Sequence, residues 1–412
     1  MAVPGTSARR ASARRPDEAP PGARAWRIGL LAGVTAGVGA AYLNRVVQRS
    51  ARGGLVDWRL AEAQATARLR RDPGALDAAA LREVQPAYAA AMARIVPELE
   101  ATLGSPLPGV VARHAVVDRA GWAAANLETF KGLMAHLEGA FGESLTPQPG
   151  NLGQGVAALA NRAIATQQIA FLVSYLGTRV LGQYDVALLS AEAPPGQLLF
   201  VEENIRAVAA AIQVPVDEFR LWVALHETTH AFEFEAHPWL RPYLAERLEG
   251  QLSGLARDLD LFRAQGLTRL VRRLRGARDG GSLLEGLLDP QQRRLLREIQ
   301  VVMSLLEGFS DWAMDRVGAR LLPDVELLRR RFEERRSLPR RGLDRLMARL
   351  TGMDLKLEQY GRGSRFVSRV VELAGIDALD RLWEGPATLP SEAELDDPAR
   401  WVRRMQAQRG GA

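Results

Sequence analysis

Three residues within five positions stand out for the chemistry they could do together: His226, Glu227 and His230. On a helix His226 and His230 are one turn apart and point the same way, so two imidazoles can reach one metal ion, with zinc as the ion that donor set suits. Glu227 lies about 100° round the helix from His226. That is close enough to serve as a general base toward water at the ion without binding it. The alternative is an amphipathic core helix whose two histidines are satisfied by hydrogen bonds.

A catalytic zinc of this kind needs a third protein ligand and an open position. Cysteine is absent from the chain, so the ligand is His, Asp or Glu. His237 falls on the same face, but on a straight helix it sits about 10 Å along the axis from His230. No glycine between Ala231 and Ala236 breaks the helix to bring it back. The better candidate is in Gln292–Leu321, where Leu295, Leu296, Ile299, Met303 and Leu306 recur at helical period. Glu307 and Asp311 project from one side of that helix, with Glu307 as third ligand and Asp311 placed to orient a ligand imidazole through its other ring nitrogen. Gly308 would let another backbone approach beside Glu307. A solvated acidic face is the alternative, and the Leu, Phe, Trp and Met residues around the pair argue against it. Zinc-assisted attack on a carbonyl also needs a donor for the developing oxyanion. Tyr360 is the first candidate and Arg365 the second, with a purely structural hydrogen bond as the alternative for both.

HETTHAFEFEAHPWL, LLEGFSDWAMD, VLGQYD and GMDLKLEQYGRGSRFV together resemble the zincin-like type 2 family, a group of bacterial hydrolases, some labelled as associated with deazaflavin-coenzyme biosynthesis. VVDRAGWAAAN and LWEGPATLPSEAEL are similar too, so the resemblance runs from about Val56 to Trp401. It implies a gluzincin-like centre with His226, His230 and Glu307 as zinc ligands and Glu227 as catalytic base. Members of the family often carry a histidine after the Glu-Gly pair, where this chain has Phe309.

The elements that must position these residues follow from local signals. Pro215 and the acidic Asp217 and Glu218 mark the start of the histidine helix, and Pro238 biases His237 out of the α region and ends it. Val186–Leu189 and Gln197–Val201 read as strands just before that helix. They form either a small sheet whose edge receives an extended peptide or a two-strand cover on a helical core. Helical patterns also cover Leu55–Leu103, Asp118–Phe141, Val156–Leu176 and Val325–Leu350. The Arg241–Gln291 insert is a lid or a surface hairpin around a DGGS turn. The expected fold is mainly α, a zincin-like metallohydrolase domain over residues 55–412 with a small β element before the His-Glu-x-x-His helix.

Residues 1–54 form a basic, partly disordered extension with nine arginines and a net charge of +7, which leaves the rest of the chain at −1. The overall +6 therefore does not indicate a nucleic-acid partner. The Arg-rich runs of the body lack an aromatic platform, and only two lysines occur, Lys131 and Lys356. Within the extension, Ile28–Leu43 is uncharged, with Gly29, Gly33 and Gly37 at four-residue spacing. It is short for a bilayer span, which needs about 20 residues, yet its glycine spacing suits a packed membrane helix. Membrane association through this run and a soluble or disordered extension both stay open, with the domain itself placed in the cytoplasm.

These readings converge on a zinc-dependent hydrolase, a metallopeptidase cleaving a peptide or amide bond with Glu227 as base. One alternative is a non-catalytic zinc-containing scaffold tethered to a membrane. Another is a hydrolase of a small amide or cofactor precursor.

Overall fold

The computed structural model describes residues 54–141, 152–184, 197–265, 289–337 and 353–410. The Ile28–Leu43 run, the Val186–Leu189 strand and the DGGS turn lie outside them. The chain divides into two units, Met1–Gly54 with Thr146–Asn161, and Leu55–Leu145 with Arg162–Ala412. All of the architecture that positions the site belongs to the second.

In chain order the elements are α1 (Trp58–Leu69), α2 (Ala78–Leu103), β1 (His114–Val117), α3 (Arg119–Phe141), α4 (Leu152–Gly177), β2 (Gly182–Tyr184), β3 (Leu198–Val201), α5 (Glu202–Ala211), α6 (Val216–Ala236), α7 (Leu240–Gln265), α8 (Pro290–Leu321), α9 (Val325–Ser337), α10 (Met353–Ala374), α11 (Glu392–Asp396) and α12 (Pro398–Gly410). The domain is mainly α, as its composition and periodicity imply. Within α4, Val156–Gly177 is long and apolar enough to cross a membrane by length and composition.

The β element differs in detail from its expected form. The sheet has three strands in the order β1-β3-β2, with β1 parallel to β3 and β2 antiparallel to it. β2 covers Gly182–Tyr184, upstream of the expected strand, and β1 was not anticipated. A four-residue strand paired in parallel across some eighty positions (His114 with Leu198) leaves no local alternation to read. The central β3 is wholly buried, from Leu198 to Val201, which explains why its LLFV reads as a continuous apolar run.

α6 is the core helix. Thirteen of its residues are buried, among them Phe219, Leu221, Val223, Ala224 and Leu225, and it packs against α2, α5, α8, β2 and β3. Its entry is fixed by a buried ion-pair cluster. Arg220 bonds the fully buried Glu202 at the head of α5, together with Asp217, and the Tyr88 hydroxyl donates to Glu202 at 2.8 Å. A carboxylate so deep in the core is tolerable only with such partners. The exit is fixed by His237, which leaves helical geometry at φ −125°, ψ 78° just before Pro238.

α8 begins with a capping box in which Asp289 accepts from the Gln292 backbone and Gln292 returns a bond to the Asp289 N–H, each at 2.8 Å. It lies against α6, α7 and, most extensively, α10. The α8–α10 crossing is closed by two glycines: a Cβ on Gly308 would lie 2.2 Å from the Gly363 carbonyl carbon, and one on Gly363 only 1.7 Å from the Ser304 oxygen. The close backbone approach anticipated at Gly308 is therefore present, and it sets the height of α8 beside α6.

Candidate metal centre

α6 and α8 bring His226, His230 and Glu307 together, with one ligand atom from each lying within 4.8 Å of the other two. The Nε2 atoms of the two histidines are 3.1 Å apart, and His226 Nε2 is 3.8 Å from Glu307 Oε2. All three are partly buried. The other ring nitrogens are engaged away from this point. His230 Nδ1 meets Glu233 Oε2 at 2.7 Å and the Ser310 hydroxyl at 3.2 Å, while His226 Nδ1 faces the Met314 sulfur at 3.2 Å. The Trp222 indole lies parallel to His226, 6.5 Å between ring centres. An imidazole that donates its Nδ1 proton to a carboxylate presents a lone pair at Nε2, the form a metal takes.

The electrostatics ask for a cation at the same point. Burial opposes charge on His230, yet Glu233, Glu307 and Glu227 outweigh it and hold the imidazole well above its ordinary pKa. Glu233 is itself raised by burial, with its pair to His230 working the other way. Three carboxylates around two imidazoles thus favour positive charge, which a divalent ion would supply in place of a shared proton. By donor type and convergence the residues fit zinc.

Glu227 is 8% exposed. It accepts from the Tyr184 backbone N–H at 3.1 Å, through Oε2. A Cβ on Gly182 would lie 2.6 Å from Glu227 Cγ and 2.9 Å from Oε1, so β2 closes over this side chain only because residue 182 has none. Burial above all, and then the Glu307 charge, push the Glu227 pKa up to about 7, against the lowering effects of His230 and the Tyr184 N–H. Tyr184 anchors β2 in turn, its hydroxyl meeting Glu235 and Arg241 and its ring stacking on Phe234 at 6.0 Å.

Asp311 lies on α8 and forms an ion pair with Arg329 of α9 at 3.5 Å. The carboxylate that meets His230 is Glu233, which sequence reasoning passed over. Its signal was present: Glu233 follows His230 by three positions and so shares its helical face. Gly182 and the Tyr184 N–H were missed as well, although they sit in the VLGQYD stretch. Tyr360 is on α10, and its side chain lies outside the described residues. Arg365 is exposed, its guanidinium folded back toward Gly361. His237 is not part of the cluster: its Nδ1 bonds the Glu233 carbonyl at 2.7 Å and its ring stacks on Trp383 at 5.0 Å.

The chain matches the model of a zincin-like metallopeptidase family over residues 56–402. It is similar to a crystal structure from Chloroflexus aurantiacus, described as a candidate hydrolase with a novel fold. That similarity amounts to 36% identity, 85% of this chain, 99% of that chain and a TM-score of 0.61. No curated protein matches. With almost the whole described body matched, the chain belongs to the zincin-like metallopeptidase family.

Proposed function

We propose that the protein is a zinc-dependent hydrolase of amide bonds, with peptides as substrates. The observation that carries this reading is the convergence of His226, His230 and Glu307 beside a buried carboxylate, Glu227, that is not one of the three. Family membership supports the hydrolase kind, and the Chloroflexus relative carries a hydrolase description.

His226, His230 and Glu307 would hold the ion. When bound, zinc supplies Lewis acidity toward a carbonyl and makes nearby water more acidic. The remaining chemistry belongs to the chain. Glu227 keeps Oε2 on the Tyr184 N–H, so Oε1 is the atom that takes a proton from water and returns it to the leaving amine. Without the ion, burial pushes the Glu227 pKa up to about 7, and the charge of a bound ion would draw it down toward the base form. Glu233 holds the His230 ring in register. A site built only to brace the fold would have no use for a buried base at this position.

The peptide assignment rests on β2, which among the described residues lies at an edge of the sheet and contacts Glu227 through its own backbone. An extended chain added along such an edge would be delivered to the base by main-chain hydrogen bonds. A closed pocket at the cluster would instead suit a small amide.

The test is bound metal by mass spectrometry together with hydrolysis of a peptide library. The wild type would be compared with His226→Ala, Glu307→Ala and Glu227→Gln. One zinc per chain, lost in the first two variants and kept in the third, with hydrolysis lost in all three, is expected. A folded wild type that takes up no zinc, or a Glu227→Gln variant that still cleaves, would overturn the reading.

A further inference from the structure

Gln183 is the middle residue of β2, and its side chain has no part in the site described above. It ends instead on α3, where Trp122 and Asn126 stand one turn apart and face the same way. The Trp122 indole N–H donates to Gln183 Oε1 at 2.6 Å, and Gln183 Nε2 donates to Asn126 Oδ1 at 2.8 Å. Asn126 Nδ2 donates to the Trp122 carbonyl at 2.9 Å, which closes a ring of three bonds. Trp122 and Asn126 are both buried.

β2 is three residues long and among the described residues lies at the sheet edge, so its ladder alone holds it weakly. Side chains alternate across a strand. Gly182 lies over Glu227 and the Tyr184 ring stacks on Phe234, both on the α6 face, while Gln183 turns to α3. The N–H that meets Glu227 Oε2 belongs to the peptide bond between Gln183 and Tyr184. That unit is planar and includes the Gln183 Cα. Fixing Gln183 from α3 therefore fixes the plane that aims the N–H at the carboxylate.

We infer that Trp122, Asn126 and Gln183 are positioning residues for Glu227. Acting through β2, they hold Oε2 on the Tyr184 N–H and so leave Oε1 for the proton transfer. The inference rests on the reading of Glu227 as the base. Apolar groups of the same shape could fill the space between α3 and β2 at little cost in stability. What the ring of bonds adds is direction, because a hydrogen bond is made only at a defined distance and angle.

The experiment is hydrogen exchange of the full-length protein, resolved to single amides, in two variants. Gln183→Met keeps the length of the side chain and removes both of its bonds. Asn126→Leu cuts one of those bonds from the α3 side and leaves the sequence of β2 unaltered. The Leu198 N–H, which donates to the Arg113 carbonyl at 3.0 Å, is the control. Exchange at the Tyr184 N–H should speed up roughly tenfold in Gln183→Met and less in Asn126→Leu, the usual worth of one or two hydrogen bonds. Leu198 should be unchanged, whereas a general loosening of the fold would speed both amides alike. Wild-type protection at Tyr184 in both variants, or a loss shared equally with Leu198, would overturn the inference. On whichever peptide the wild type cleaves, kcat should fall in the same order with zinc content unchanged, by part of the roughly 10²- to 10⁴-fold that a general base contributes. A wild-type kcat in a variant that has released Tyr184 would overturn the inference too. A wild type that cleaves nothing defeats the hydrolase reading alone, and the exchange data still decide whether the ring holds β2 on Glu227.

Discussion

Glu233 Oε2 lies 2.7 Å from His230 Nδ1, and both belong to one helix, so α6 carries the two clustered histidines, the buried Glu227 and this carboxylate within eight residues. Glu233 is fully buried, with Oε1 unpartnered among the described residues. A fold would not keep a carboxylate there for stability alone, since burying it is costly. Glu233→Gln preserves shape but weakens the pull on the Nδ1 proton. Zinc affinity, measured by competition with a chromogenic chelator, should fall roughly 10- to 100-fold, the usual effect of losing such a partner. The melting temperature of the metal-free protein should stay near wild type or rise. Unchanged chelator competition would remove Glu233 from the centre.

How much of this was legible in the sequence depends on whether the information is local. His226, Glu227 and His230 share one helix, and periodicity plus Pro238 was enough to place them on it. Glu307 lies some eighty positions away, and it was singled out because an acidic residue among Leu, Phe, Trp and Met has to be explained. Gly308 was legible for a similar reason, as a residue whose only use in a helix is close approach. Asp311 was legible as a carboxylate one turn after Glu307, whereas Glu233, three positions after His230 on the same helix, carries its signal only in helical spacing. The β1–β3 pairing and the meeting of Gly182 with Glu227 are contacts between distant segments of three or four residues, too short for a pattern to declare them.

Gly182→Ala tests how closely β2 fits the base. The new methyl would sit 2.6 Å from Glu227 Cγ, so either the carboxylate swings away or the Tyr184 N–H bond breaks. Misplacing a general base costs roughly 10²- to 10⁴-fold in turnover. The expected result is a kcat lowered to near that of Glu227→Gln, on whichever peptide the wild type cleaves, with one zinc still bound. A Gly182→Ala enzyme of normal kcat would mean that Glu227 is not held by this strand.

The glycine crossing of α8 and α10 makes a stability prediction. Gly363→Ala drives a methyl to 1.7 Å from the Ser304 oxygen, and Gly308→Ala drives one to 2.2 Å from the Gly363 carbonyl carbon. Backbone cannot step aside as a side chain can, so the cost is at or above the roughly 1–3 kcal/mol typical of overpacking. For a domain of this size each kcal/mol lowers the melting temperature by about 2–4 °C. Zinc affinity should fall with it, because Glu307 rides on the displaced helix. Gly132→Ala on α3 is the control. Gly132 is exposed and nothing lies within 4 Å of its Cβ position, so alanine there should be neutral or slightly stabilising. Equal melting temperatures for Gly132→Ala and Gly363→Ala would show that the crossing is slack.

At the C-terminal end, Arg404 clamps Glu394 through two bonds, 2.8 Å to Oε1 and 3.0 Å to Oε2, and also reaches the carbonyls of Ala387 and Leu389. This pair joins α12 to α11 and the segment before it. Burial would raise the Glu394 pKa, but the Arg404 and Ser391 bonds outweigh it and hold the carboxyl below its ordinary 4.5. The sign then follows. A folded-state pKa below the unfolded value means that the stabilisation is fully present above about 4.5 and disappears as acid carries the group through its depressed folded pKa. Glu394→Gln should therefore cost about 1 kcal/mol at neutral pH, a value kept small because the pair is only partly shielded from water. In urea titrations at stepped pH the gap between the two proteins should narrow below pH ~4 and close in stronger acid. A gap that stays constant down to that range would assign the effect to the amide's hydrogen bonding and packing and not to charge.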